Sequence, residues 1–485
     1  MKPENNIAST EIYALAFGLF LGLAFWKFGN PVILDHKIIP PASPSDFLAN
    51  AWPTRWAKWI FLPLALVGAA FAFANKLHWP ATKWLWLLPL LWLGWQLISA
   101  SQTVDADLTA ATLWLFFGCV ACYFVGALVF IRETSLRWLL IGVLAAFAFC
   151  LVRAVDQRLV EFPESRQMLI DGERTGWTNV PPEMLLEMKR EQVVINTNGV
   201  DMANPAYLAK FGKEPPADAN RLHRLFYALF AATPRVQGTL VYPNALAGAI
   251  LLLLPLSLSL AFGAKNLRPA IRAIVIALTC FLGGAGLFWS GSKLGWLIGM
   301  AMCSFCLFRL KRRARSKIVA FAIVAILGLG IFAVRFHNYF ATGATSAGAR
   351  LDYWRAAVQT TAKNPMVGSG PGTFKSSYEQ IKPPDAEMSR LAHNDYLEQF
   401  SDSGIPGGIF YGAWIVIAFV TVGKWVWKSG DKIIFAIFIG LLGWFVQGIG
   451  EFSLYIPALA WTAFTLLGCS LALTGNQFDN NPATG

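Results

Sequence analysis

Runs of about 18 to 24 apolar residues, separated by short polar breaks, recur along most of this chain. At 1.5 Å rise per residue, such a run crosses a hydrocarbon core about 30 Å thick. A helix satisfies its own backbone hydrogen bonds, so it is the element that can do this in lipid. The pattern predicts helices over 12–29, 56–75, 84–100, 108–131, 136–155, 244–263, 271–289, 292–309, 318–335, 405–423, 433–449 and 455–474. The expected fold is therefore an all-α polytopic membrane protein with about 12 transmembrane helices. An even number puts both termini on one side. The first run contains Lys27 and lacks a small-residue cleavage site, so it reads as a retained helix rather than a signal peptide.

Charge then orients the helices. The link from Arg309 to Lys317 reads RLKRRARSK, six positive charges in nine residues, and the positive-inside rule places it in the cytoplasm. Counting outward from it puts Lys265, Arg268 and Arg272 inside, with Arg132, Arg137, Lys424, Lys428 and Lys432. The short loops 101–107 and 450–454, which carry no Lys or Arg, fall outside. Segment 30–55 is the exception, carrying Lys37 and Arg55 on the outer side. The expected organisation is helices 1–5 within 1–155, a large extracytoplasmic loop at 156–243, helices 6–9 within 244–335, a second large extracytoplasmic loop at 336–404, helices 10–12 within 405–474, and a polar tail at 475–485. Both termini are expected to be cytoplasmic. The first loop holds helix-like stretches at 183–193 and 220–232, the latter with Leu222, Leu225, Phe226 and Leu229 on one face.

Composition agrees with lipid as the solvent: 56% of residues are hydrophobic and 14% charged, with a mean hydropathy of +0.50. The net charge of +12 lies mostly in short segments between apolar runs, which is a topology signal and argues against a nucleic-acid partner. All seven cysteines lie inside apolar runs, so no disulfide framework is expected. The C-x-x-C pairs Cys119/Cys122 and Cys303/Cys306 have no nearby His or carboxylate to complete a zinc site. Asp105-Ala106-Asp107 on a short outer loop is D-x-D-like, a spacing that can hold a divalent cation but is common by chance. No metal or cofactor is expected.

The stretch with most chemistry runs from Gly348 to Phe410. GARLDYWRAAVQTTAKNP predicts an amphipathic helix ended by Asn364-Pro365. A glycine-rich turn, Gly368 to Gly372, follows; it lacks the Lys-Ser/Thr of a P-loop and is expected to bring the Arg350 helix back against the His393 segment. AHNDYLEQFSDSGIPGG then leads into the next span. Arg350, Arg355 and His393 thus stand near the outer surface.

The run R-x-x-x-W-R, P-x-x-G-x-G-x-G-x-F, H-N-x-x-L-x-x-x-x-x-x-G-I-x-G resembles the signature region of the O-antigen ligase and polymerase superfamily of bacterial envelope glycosyltransferases. RVQGTLVYPNALAGA from Arg235 and WSGSKLGW from Trp289 resemble two further segments of that family, with Lys293 where many members carry Arg. The resemblance covers roughly 235–470. It implies a multi-pass protein of the bacterial inner membrane, with its active site facing the periplasm. The implied reaction is metal-independent and inverting: a glycan moves from a polyprenyl-diphosphate carrier to an acceptor hydroxyl on lipid A core, protein or glycan.

Residue chemistry agrees with that expectation. Guanidinium groups match phosphate oxygens and stay charged as the diphosphate leaves, which points to Arg235 and Arg350, with Arg355 and Lys293 as helpers. An imidazole suits proton removal from the acceptor at neutral pH, which points to His393. Glu398 is a candidate to orient that ring or bind sugar, Asn394 a candidate substrate ligand, and Glu451 either faces the cavity or caps its loop. For Arg355 and Lys293 the rival role is that of an interfacial anchor. A polymerase of the same superfamily needs the same groups. A transporter or lipid flippase is the rival from another class, but such proteins carry ionisable residues at the bilayer midplane, where these helices have almost none.

Overall fold

The computed structural model describes residues 3–74, 82–167, 234–309, 313–341, 345–384, 386 and 388–479. They form helices α1 (Pro3–Lys27), α2 (Pro44–Ala49), α3 (Ala57–Ala74), α4 (Trp84–Ala100), α5 (Ala106–Leu128), α6 (Glu133–Asp156), α7 (Pro243–Gly263), α8 (Pro269–Ser290), α9 (Lys293–Arg309), α10 (Ala314–Ala341), α11 (Thr345–Lys363), α12 (Phe374–Ile381), α13 (Asp395–Ser429), α14 (Lys432–Gln447) and α15 (Pro457–Asp479). No strand occurs among the described residues. The protein is all-α and multi-pass. Nine of the described helices, α1, α3, α5, α6, α7, α8, α10, α13 and α15, are long and apolar enough to cross a membrane. Helices α4 and α14 are apolar but shorter, and α9 is bounded by Lys293 and Arg309. These twelve helices occupy the twelve places the hydrophobic pattern marks. The stretches 183–193 and 220–232 lie outside the described residues.

Close backbone approach organises the bundle. Gly18 and Gly22 on α1 form a small-xxx-small face against Gly142 on α6, where an added Cβ would lie within 2.1 to 2.6 Å of facing backbone. Gly126 on α5 meets Gly468 on α15 in the same way. The apolar stretch of α15, Pro457–Thr474, is wholly buried, so this helix is the axis around which the others pack. At the other extreme, no residue of the apolar window of α10 is buried, and α8 is mostly exposed. Helix α10 packs on α9, whereas α8 packs on α7 and α6.

Segment 30–55, the exception in the charge count, is built around Lys27. Its buried Nζ donates to the carbonyls of Phe47, Leu48 and Asn50 at 2.9, 2.6 and 3.0 Å and lies over the Trp26 and Trp52 rings. A cation inside the first apolar run thus ties α2 to the end of α1.

Helix α13 breaks near its start. Ser403 (φ −129°) and Gly404 (φ 70°) are non-helical, which separates 395–402 from the apolar span beginning at 405, where the pattern predicts one. The glycine-rich turn docks on this break. The amides of Ser369 and Gly370 donate to the carbonyls of Ser401 and Asp402, and Gly372 N donates to Asp402 Oδ2 at 2.7 Å. Tyr455 Oη donates to the same carboxylate oxygen at 3.2 Å. Val104 N donates to Ser369 O and Thr109 Oγ1 to Pro371 O, which adds the loop before α5. The turn is a clasp, and its amides are used within the protein.

Candidate functional site

Chain direction brings one end of the bundle together. The starts of α7, α9 and α13 and the ends of α8, α10 and α14 meet there, as antiparallel neighbours must, and α11 lies across them. Their polar residues converge on Glu451, in the short link between α14 and α15.

Glu451 is buried, its side chain 5% exposed. Its Oε1 receives Arg350 Nη2 at 2.6 Å and Asn244 Nδ2 at 2.7 Å. Its Oε2 faces His393 Nδ1 at 3.4 Å, within ion-pair range but outside hydrogen-bond geometry. Burial alone would raise the Glu451 pKa. The His393 contact, Arg350 and Asn244 outweigh it and hold the carboxyl below its ordinary value of 4.5.

Arg350 comes from α11 and is further held by Gly450 O, which accepts from Nε at 3.1 Å. Arg235 precedes α7. Its Nε donates to Ser290 O at 2.6 Å, at the end of α8, and its Nη2 to Asn244 Oδ1 at 2.6 Å. Asn244 therefore bridges Arg235 and Glu451 through its two amide atoms. Gln157, just past α6, holds the next turn: its Oε1 accepts from the amides of Gln237 and Gly238 at 3.0 and 2.8 Å. Gly238 has φ 64°, a conformation that excludes a side chain at low cost. Burial pulls the Arg235 pKa down, Glu451 opposes that, and Arg350 and Arg335 add to it as like charges.

His393 is the only described non-glycine residue with positive φ, at 51°. This left-handed conformation costs on the order of 1–2 kcal/mol, so the surroundings must impose it. Two of them are visible. Asn394 caps α13, its Oδ1 accepting from the amides of Tyr396 and Leu397 at 3.0 and 2.9 Å. The imidazole packs between Tyr353, ring centroids 5.8 Å apart and stacked, and Phe452, 4.8 Å away and edge-on. Nδ1 points at Glu451, and among the described residues Nε2 has no hydrogen-bond partner.

Lys293, at the first position of α9, lies 3.7 Å from the Tyr339 ring centroid and 5.3 Å from that of Phe336. It is within electrostatic range of Arg235, Arg350, Arg335 and Glu451. Arg235 and Lys293 thus lie within electrostatic range of Glu451, which Arg350 binds directly, and Arg335 lies within range of Arg235 and Lys293.

The structure brings Arg350, Arg235, His393 and Lys293 to one end of the bundle. Arg355 does not join them: its side chain is 67% exposed and pairs with Asp352 at 3.1 Å. Five residues on a helix turn it away from Arg350. Asn394 uses its side-chain oxygen as a cap. Glu398 is fully buried and accepts from Ala392 N at 3.0 Å, with Asp402 as its charged neighbour, so the group set against His393 is Glu451 and not Glu398. Asp105 Oδ1 caps α5 by accepting from Leu108 N at 3.1 Å. Sequence reasoning left Asn244 and Arg335 out of the site. Asn244 had a signal, an amide just after the helix-starting Pro243, whereas Arg335 sits in an apolar run with nothing beside it to mark it.

A family model described as Wzy_C, O-Antigen ligase, matches residues 278–412. That span runs from within α8 into α13 and contains Lys293, Arg335, Arg350 and His393, while Arg235, Asn244 and Glu451 lie outside it. The fold is that of a multi-pass all-α membrane protein, and residues 278–412, a little over a quarter of the chain, are similar to the O-antigen ligase family. No curated protein matches the chain.

Proposed function

We propose that this protein is an O-antigen ligase-like glycosyltransferase that moves a glycan from a polyprenyl-diphosphate carrier to an acceptor hydroxyl on the periplasmic face of the bacterial inner membrane. The observation that carries this reading is the excess of cations at one end of the bundle, where Arg350, Arg235 and Lys293 share the field of the buried Glu451 carboxylate, beside an imidazole whose Nε2 has no hydrogen-bond partner among the described residues. Unneutralised guanidinium groups close together are costly unless an anion joins them, and a diphosphate supplies that anion. The charge count supports twelve spans with both termini cytoplasmic and this end outside.

The acceptor hydroxyl attacks the anomeric carbon opposite the diphosphate. Its oxygen forms the new glycosidic bond, and its proton passes to His393 Nε2. The bond from the anomeric carbon to the diphosphate oxygen breaks, that oxygen keeps the electron pair, and the anomeric centre inverts. Arg350, Arg235 and Lys293 receive the growing charge on the diphosphate. Glu451 orients His393 through Nδ1 and stabilises the imidazolium that forms. Asn394 and Glu398 act through the backbone of the His393 segment. The cation cluster needs no metal for this chemistry.

His393→Ala and Arg350→Ala should each abolish transfer from a lipid-linked glycan by purified protein in detergent, while expression and membrane insertion stay near wild type. Full activity in either removes that residue from the reaction. Surface polysaccharide from a deletion strain separates the two superfamily reactions: long unligated chains on the carrier accompany a ligase, single repeat units a polymerase.

A further inference from the structure

Arg335 stands near the end of the lipid-facing helix α10, where a cation either anchors at the interface or meets an anion. Its neighbours Val334 and Ile331 are 83% and 45% exposed, and no residue in the apolar window of α10 is buried. The guanidinium carbon lies 5.4 Å from the Phe288 ring centroid on α8 and 5.6 Å from that of Phe336 on α10. Arg335 therefore reaches from α10 to α8, two helices that both also touch α9. Among the described residues, the charges within its electrostatic range are the cations Arg158, Lys293 and Arg235. Among the described residues, no carboxylate is paired with it.

A cation at a lipid-exposed surface is costly when unpaired, and a ring face recovers only part of that. An anion that arrives on a lipid would complete the set. Lys293 is within electrostatic range of Arg335 and also of Arg235, Arg350 and Glu451, which links the guanidinium on α10 to the cluster. A donor that carries its diphosphate on a polyprenyl chain must come from the bilayer sideways, head group at the helix ends and tail along apolar helix surface.

Building on the proposed transfer reaction, we infer that Arg335, held over Phe288 between α8 and α10, is a further phosphate-binding residue, which receives the diphosphate of the lipid-linked donor from the bilayer and passes it to the cluster at Glu451. It binds and guides substrate and takes no part in proton transfer. A phospholipid head group has related chemistry, so the test separates the two sources.

The full chain in detergent is titrated with farnesyl diphosphate, with farnesol as the apolar control and phosphatidylglycerol vesicles as the head-group control. Arg335→Ala should weaken farnesyl diphosphate binding about tenfold, the loss of one charge-assisted contact. Arg335→Lys, which keeps the charge but not the fork, should recover about half of that on a logarithmic scale. Farnesol and vesicle binding should not change. In transfer assays the donor KM should rise by more than kcat falls. Wild-type diphosphate affinity in Arg335→Ala overturns the assignment, as does an equal loss of vesicle binding, which would make Arg335 a head-group anchor. If Arg335→Ala does not fold, Arg335→Lys decides: unchanged affinity overturns the assignment, and weakened affinity with wild-type melting supports it. Binding is read without glycan transfer, so absence of transfer by the wild type would sink the proposed reaction while leaving this result to stand on its own.

Discussion

Two polar regions lie close together at the same end of the bundle, and they use their charges in opposite ways. In the clasp, Gly368 to Thr373 on the break in α13, the amides of the turn are used within the chain: Asp402 Oδ2 takes Gly372 N and Tyr455 Oη, and Ser401 O takes Ser369 N. At the Glu451 cluster, one carboxylate is shared by Arg350, Asn244 and His393 while two more cations, Arg235 and Lys293, lie within its electrostatic range. Hydrogen-bonding capacity spent within the chain holds shape, and charge left in surplus is available to a ligand. The glycine-rich turn has the look of a phosphate cradle in sequence, yet it is the region whose amides are already used.

The sharpest way to break this contrast is to neutralise Glu451. Glu451→Gln keeps the shape but removes the anion that orients His393 and pairs with Arg350, so transfer should fall on the order of a hundredfold, measured as kcat at saturating donor. The same variant has a pH signature. A carboxyl held below its ordinary 4.5 contributes stability that is fully present above that value and is lost as pH falls through the depressed one. The wild type should therefore lose melting temperature on acidification below about pH 4.5 by a component that Glu451→Gln lacks. Equal acid sensitivity in both would remove Glu451 as a structural anion.

A cut in the clasp should act on stability first. Gly404 has φ 70°, and an added Cβ would lie 2.3 Å from Met366 O. Gly404→Ala combines left-handed strain with a backbone clash and should cost about 3 kcal/mol, read as a lowered melting temperature in detergent. Farnesyl diphosphate affinity of the folded fraction should change far less; a selective loss of affinity with normal melting would move the clasp into the site. The smallest effect belongs to Arg355, which is exposed and pairs only with Asp352. Arg355→Ala should leave transfer within about twofold of wild type, and a larger fall would bring that face of α11 back into consideration.

Hydrophobic periodicity was enough to locate the helices, because lipid leaves the backbone one way to cross it. The start of the apolar span at 405 and the end of the α11 helix before Pro365 were legible for related reasons, since Gly-Ile-Pro and Asn-Pro restrict the backbone locally. Arg235, Arg350, His393 and Lys293 were candidates from the motifs that carry the family resemblance and from what their residue types can do. Their partners could not be named: Arg350 and Glu451 are 101 residues apart, and Asn244 and Glu451 are 207 apart. Which carboxylate serves His393 was also beyond the linear pattern. Glu398 is near it in sequence, but helix phase turns Glu398 toward Asp402, while the end of α14 delivers Glu451.

Chain chemistry alone thus determined that this protein must be helical and solvated by lipid, that its cations concentrate at helix ends, and which side chains could handle a diphosphate and a hydroxyl. The tertiary structure alone decided which cations share a carboxylate, that the glycine turn is occupied, and that Arg335 meets Phe288 across two helices. Periodicity is a property of neighbouring residues and survives in one dimension. Charge balance at a site depends on distances between elements far apart in the chain, and packing sets those.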